Sequence, residues 1–82
     1  MEFNKHVQAR EEKFGTVIFE TLKEKVFVTN PTGAEIIKLI QKKKSQKEII
    51  EELSQTYGAT ESAIATDVNQ FIDNLAKNEI IL

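Results

Sequence analysis

Two periods divide the chain. From Val7 to Thr29, β-branched and aromatic residues form short runs separated by charged ones, whereas beyond Pro31 the apolar positions recur three and four apart. The first pattern predicts three strands, Val7 to Arg10, Phe14 to Thr21 and Lys25 to Thr29, arranged as an antiparallel meander. Thr21 to Lys25 is the hairpin connection. It holds no glycine or asparagine, which predicts a longer loop or one built on a type I turn. In the third strand Val26, Phe27 and Val28 are consecutive, so either both faces of that strand are covered or one face awaits a partner.

The second pattern predicts three helices. The first starts near Pro31 with Asn30 or Thr29 as its cap, and buries some of Ile36, Ile37, Leu39 and Ile40. Lys42-Lys43-Lys44 is expected in its last turn, against the negative end of the helix dipole. Ser45 to Glu48 reads as a capping box for a second helix with Ile49, Ile50, Leu53 and Tyr57 on one side and Gly58 as a left-handed stop. Thr60 caps a third helix, Glu61 to Lys77. On this helix Ile64, Ala65, Val68, Phe71, Ile72, Leu75 and Ala76 fill an arc of about 140°, wider than the stripe of a simple surface helix. Either two sides of it are covered within the domain, or part of the stripe lines a groove. Ile80-Ile81-Leu82 is apolar and either packs on the core or continues into a partner.

The second and third helices, joined near Tyr57 to Thr60, have helix-turn-helix spacing. With the strands before them, the expected fold is α+β, a winged helix-turn-helix in which a three-stranded antiparallel sheet is followed by three helices. At 82 residues, residues 1 to 82 form one domain with one modest core. A hydrophobic share of 40% and a charged share of 29% suit a globular chain. With no cysteine, no signal-like N-terminus and no run long enough to span a membrane, a cytoplasmic protein is expected.

Enzyme chemistry finds no residues to carry it. His6 is the one histidine, near a chain end, and with no cysteine it makes no metal site. Ser45, Ser54 and Ser62 lack a base and an orienting partner, and the three glycines form no phosphate loop. No catalytic residue, cofactor or metal is expected. A winged helix could also regulate transcription by binding DNA, which is the principal alternative. Against it, the net charge is −2, Arg10 is the sole arginine, and the third helix exposes Thr66, Asp67, Asn69, Gln70, Asp73 and Asn74. Aspartates on that helix would repel the phosphates that supply most DNA affinity. A third reading is a structural subunit that joins two enzymes.

The stretch from Gly15 to Ile40, then Glu48 to Leu53, the Tyr57-Gly58 break and Asp67 to Leu75, resembles the PqqD family of peptide-recognition domains. The likeness runs from about Val7 to Ile81 and is carried by Asn30, Ala34-Glu35-Ile36, Asp67-Val68, Phe71 and Leu75. It departs from the family at Glu24, where a hairpin glycine is common, and at Thr29, where a leucine often stands. The resemblance implies a non-catalytic escort. Such a domain binds the leader of a ribosomally synthesised precursor peptide by strand addition and delivers it to a modifying enzyme, such as a radical SAM maturase or a leader peptidase. Strand addition needs an open sheet edge, with side-chain pockets for selectivity. The candidate leader-binding residues are Val26, Phe27 and Val28 on the strand, and Ile64, Asp67, Val68 and Phe71 on the helix. The unpaired edge also allows a monomer or a weak, strand-exchanged dimer.

Overall fold

A computed structural model describes all 82 residues. Strands β1 (Val7–Glu12), β2 (Gly15–Glu20) and β3 (Lys25–Val28) precede helices α1 (Pro31–Gln41), α2 (Gln46–Tyr57) and α3 (Glu61–Lys77). The sheet is antiparallel in the order β1-β2-β3, with Ala9, Ile18 and Phe27 in register across it. This is the expected α+β architecture. β1 runs two residues beyond Arg10 because Glu11 and Glu12 still pair with Thr16 and Gly15.

The hairpin between β2 and β3 solves its lack of glycine with a side chain. Glu20 is only 4% exposed, and its carboxylate accepts from the N–H groups of Leu22 and Lys23 at 3.0 and 2.9 Å, closing the turn while Glu24 takes φ +56°. Gly15 enters β2 at φ +150°, where a Cβ would lie 1.7 Å from the Thr29 carbonyl oxygen, so only glycine fits.

Each helix starts on a side-chain cap. Asn30 Oδ1 accepts from the Gly33 N–H at 2.8 Å, Ser45 and Glu48 form the reciprocal capping box, and Thr60 accepts from Ala63. The lysine run lies beyond α1, not in its last turn. Lys43 takes φ +63°, and the Lys43 and Lys44 N–H groups return to the Ile40 and Leu39 carbonyls, a Schellman ending built without glycine. Lys43 Nζ then reaches Glu2 at 2.9 Å. α3 ends the same way, with Glu79 at φ +59° and Ile80 bonded back to Leu75.

The core lies between the inner sheet face and the helices. Ile18 supplies the sheet side, Ile36, Ile37, Leu39 and Ile40 come from α1, Ile49 and Leu53 from α2, and Val68, Ile72 and Leu75 from α3. The chain ends meet beside it. Phe3 bridges Ile81, Asn4 donates to the Ile80 carbonyl at 2.9 Å, and Leu82 donates to Glu2 at 2.8 Å. Ile80 and Ile81 are buried while Leu82 is exposed. The N-terminal segment holding His6 is therefore tied down, because the His6 carbonyl also accepts the Thr21 N–H and hydroxyl.

Candidate functional site

β3 is an edge strand, and its hydrogen-bond parity decides which of its groups are free. Thr29 N–H donates to Thr16 O at 2.9 Å. Antiparallel pairs alternate between bonded and non-bonded, so Phe27 and Lys25, two and four residues earlier, form the bonded pairs with Ile18 and Glu20. Val26 and Val28 therefore turn their N–H and C=O groups away from β2, to the open edge. Their side chains are also free, at 59% and 64% exposure, on the sheet face opposite the helices. Phe27 points the other way and packs against the core. One face of β3 is covered and the other is open. Register sets Val26 beside Phe19 and Val28 beside Val17 on that open face, where Arg10 lies 5.7 Å from the Phe19 ring.

At the C-terminal end of β3 a groove of about 320 Å³ opens between α1 and α3. Asn30, Thr32, Gly33 and Ile36 line one side, and Asp67, Gln70, Phe71 and Asn74 the other. The two walls meet at Gly33: a Cβ there would come within 2.8 Å of Phe71 Cε1 and 2.8 Å of Thr29 Cβ. Gly33 thus lets the Phe71 ring sit against the strand-to-helix junction. The spacing of Asp67, Gln70, Phe71 and Asn74 along α3 brings all four to one side of the helix. Asp67 forms no ion pair and is the only charged residue of the groove.

The candidate residues fall into three places. Val26 and Val28 are on the open edge, with Phe27 beneath them. Asp67 and Phe71 line the groove. Val68 is 1% exposed within the core, on the same inward side of α3 as Ile72, four residues on, and Leu75, seven residues on. Ile64, half-buried, packs against the core and lies outside the groove lining. The wide apolar arc of α3 is accounted for by Val68, Ile72 and Leu75 in the core and Phe71 at its groove-facing border, while Ala76 is exposed. Asn30, Thr32, Gly33, Ile36, Gln70 and Asn74 join the candidate residues in the groove lining. Among them Asn30 and Ile36 belong to the family resemblance, and Gly33 carries a signal of its own, a glycine inside a helix that alanine would favour.

The fold recurs in solved structures. TbiB1 in complex with the TbiA(beta) leader peptide superposes with a TM-score of 0.92 at 20% identity, covering 98% of this chain and 93% of that one. Lasso peptide synthetase B1 complexed with the leader peptide gives 0.90 at 16% identity, covering 99% and 95%. At these identities the likeness establishes the fold. No curated protein matches the sequence. The family described as coenzyme PQQ synthesis protein D matches residues 15–81, which include all of β2, β3 and the three helices, and the chain belongs to this PqqD family.

Proposed function

We propose that residues 1 to 82 act as one non-catalytic recognition domain that binds the leader of a ribosomally synthesised precursor peptide and delivers it to a peptide-modifying enzyme. The leader adds as a fourth strand along β3, bonding to the outward groups of Val26 and Val28. Phe27 anchors the strand to the core from below, and Phe71 and Asp67 line the groove into which the leader's inward side chains turn. The receiving enzyme is a radical SAM maturase or a leader peptidase, and the encounter takes place in the cytoplasm. No helix is long and apolar enough to cross a membrane.

The observation that carries this reading is the free edge of β3 opening beside a groove. An edge strand left unprotected invites pairing, and here no charged side chain blocks it at Val26 through Val28. Membership of the PqqD family supports the same reading, as do the leader peptides bound to TbiB1 and to lasso peptide synthetase B1. DNA binding has no such support: Asp67 stands in the groove and Asp73 on the exposed side of α3, where cations would be needed.

The test is a fluorescence titration with leader segments of ribosomally synthesised precursor peptides, set against duplex DNA at two salt concentrations. A Kd of about 1 μM or below, equivalent to about −8 kcal/mol, is expected for the leader and none for DNA. Salt-sensitive DNA binding with no leader affinity overturns the proposal.

A further inference from the structure

We infer that the site selects a leader segment with a basic side chain turned into the groove and apolar side chains on the alternate positions; this rests on strand addition at β3. The argument begins with the parity of the edge. A residue paired with Val26 or Val28 lies on the same sheet face as they do, because side chains directly opposite each other share a face. That face already exposes Val26 and Val28 beside Phe19 and Val17, and no helix covers it. Apolar leader residues at these two positions would extend the apolar strip and remove both valines from water.

The residue opposite Thr29 turns the other way, toward the helices, as Thr29 itself does: its Cβ lies 2.8 Å from the position of a Cβ on Gly33. The groove opens there. Its single charge is the Asp67 carboxylate, which no side chain of this protein neutralises, and Gln70 and Asn74 add side-chain amides that make no hydrogen bonds within the chain. Phe71 offers an aromatic surface beside them. A long cationic side chain meets all of these: its methylenes lie along Phe71, and its head reaches Asp67. A carboxylate there would face Asp67, and a purely apolar residue would leave the amides and the carboxylate to be desolvated for no return. The recognised pattern is therefore apolar, any, apolar, basic, read from the residue opposite Val26 to the one opposite Thr29, or its reverse according to strand direction.

The test selects short random displayed peptides against the full chain, against Asp67→Asn and against Asp67→Lys. Asp67 is exposed, so both variants fold. Enriched peptides are then checked for protection of the Val26 and Val28 amides. The expected result is enrichment of the alternating pattern with lysine or arginine, about fivefold weaker binding of those peptides to Asp67→Asn, and a switch to acidic residues against Asp67→Lys. Peptides that protect both amides without any charge preference overturn the inference and leave strand addition standing. If no enriched peptide protects those amides, both fall.

Discussion

Proline at position 28 and proline at position 27 probe opposite edges of the same strand. Val28 turns its N–H outward, so Val28→Pro removes no ladder bond, and at 64% exposure the side chain has little packing to lose. Proline is tolerated at such edge positions, and its stiffening of the unfolded chain offsets part of any strain. The expected change in stability is within about 1 kcal/mol. Phe27→Pro breaks the bond to Ile18, a residue with no exposed surface, at about 1–3 kcal/mol, and deletes a half-buried aromatic worth roughly 2 kcal/mol. Together these remove about 3–5 kcal/mol, against a total of about 4–12 kcal/mol for a chain of 82 residues. Phe27→Ala separates the side-chain share. Leader affinity should behave the other way: Val28→Pro loses a leader bond worth about 0.5–1.5 kcal/mol, a two- to twelvefold rise in Kd, while the protein stays folded. Urea denaturation and a leader titration measure both quantities. The reasoning is refuted if Val28→Pro unfolds the protein as far as Phe27→Pro does, or if it leaves the leader Kd unchanged.

Gly33→Ala gains helix propensity of about 1 kcal/mol but drives a methyl to 2.8 Å from Phe71 and Thr29, at an overpacking cost of about 1–3 kcal/mol. We expect a net loss near 1 kcal/mol in urea denaturation and weaker leader binding as the Phe71 ring is displaced; a more stable protein with an unmoved Phe71 resonance would contradict this. Ile80→Ala, at a side chain 1% exposed, should cost about 2–5 kcal/mol by loosening the junction of the two chain ends, and a denaturation midpoint close to the parent's would rule that out. Acid should destabilise the fold through three carboxyls held below their ordinary value of 4.5: Glu48 by the Ser45 backbone N–H, Glu2 by Lys43 and Glu79 by Lys23. Their folded values lie below the unfolded ones, so their stabilisation is complete above about pH 4.5 and fades as pH falls through the lowered values. Thermal melts across that range check it, and Glu48→Gln should show a smaller acid loss than the parent.

What the sequence made legible were features set by local chemistry. Asn30-Pro31, Ser45 with Glu48 and Thr60 each mark a helix start by cap residues, and the four apolar positions of α1 lie in the core where the period puts them. Strand boundaries were readable to within two residues. Features that need distant partners were not readable. Val26-Phe27-Val28 are equally apolar, and only their pairing with β2 turns Phe27 inward and leaves its neighbours out. Val68 and Phe71 share the apolar stripe of α3, yet one is sealed by the core and the other borders the groove, where its ring meets Gly33 of α1. The lysine run looked like a charged last turn, but a Schellman ending needs no glycine when Lys43 accepts a left-handed backbone. The union of Phe3 with Ile81 spans almost the whole chain and leaves no local trace.

The central claim, that the leader is bound as a strand on the open edge of β3, is tested most directly by amide hydrogen exchange with and without the leader. The account predicts that the Phe27 and Thr29 amides are already protected in the free protein by β2, that those of Val26 and Val28 exchange freely, and that the leader protects these two and adds little at Phe27 and Thr29. Leader binding that leaves the Val26 and Val28 amides as exposed as before would contradict it.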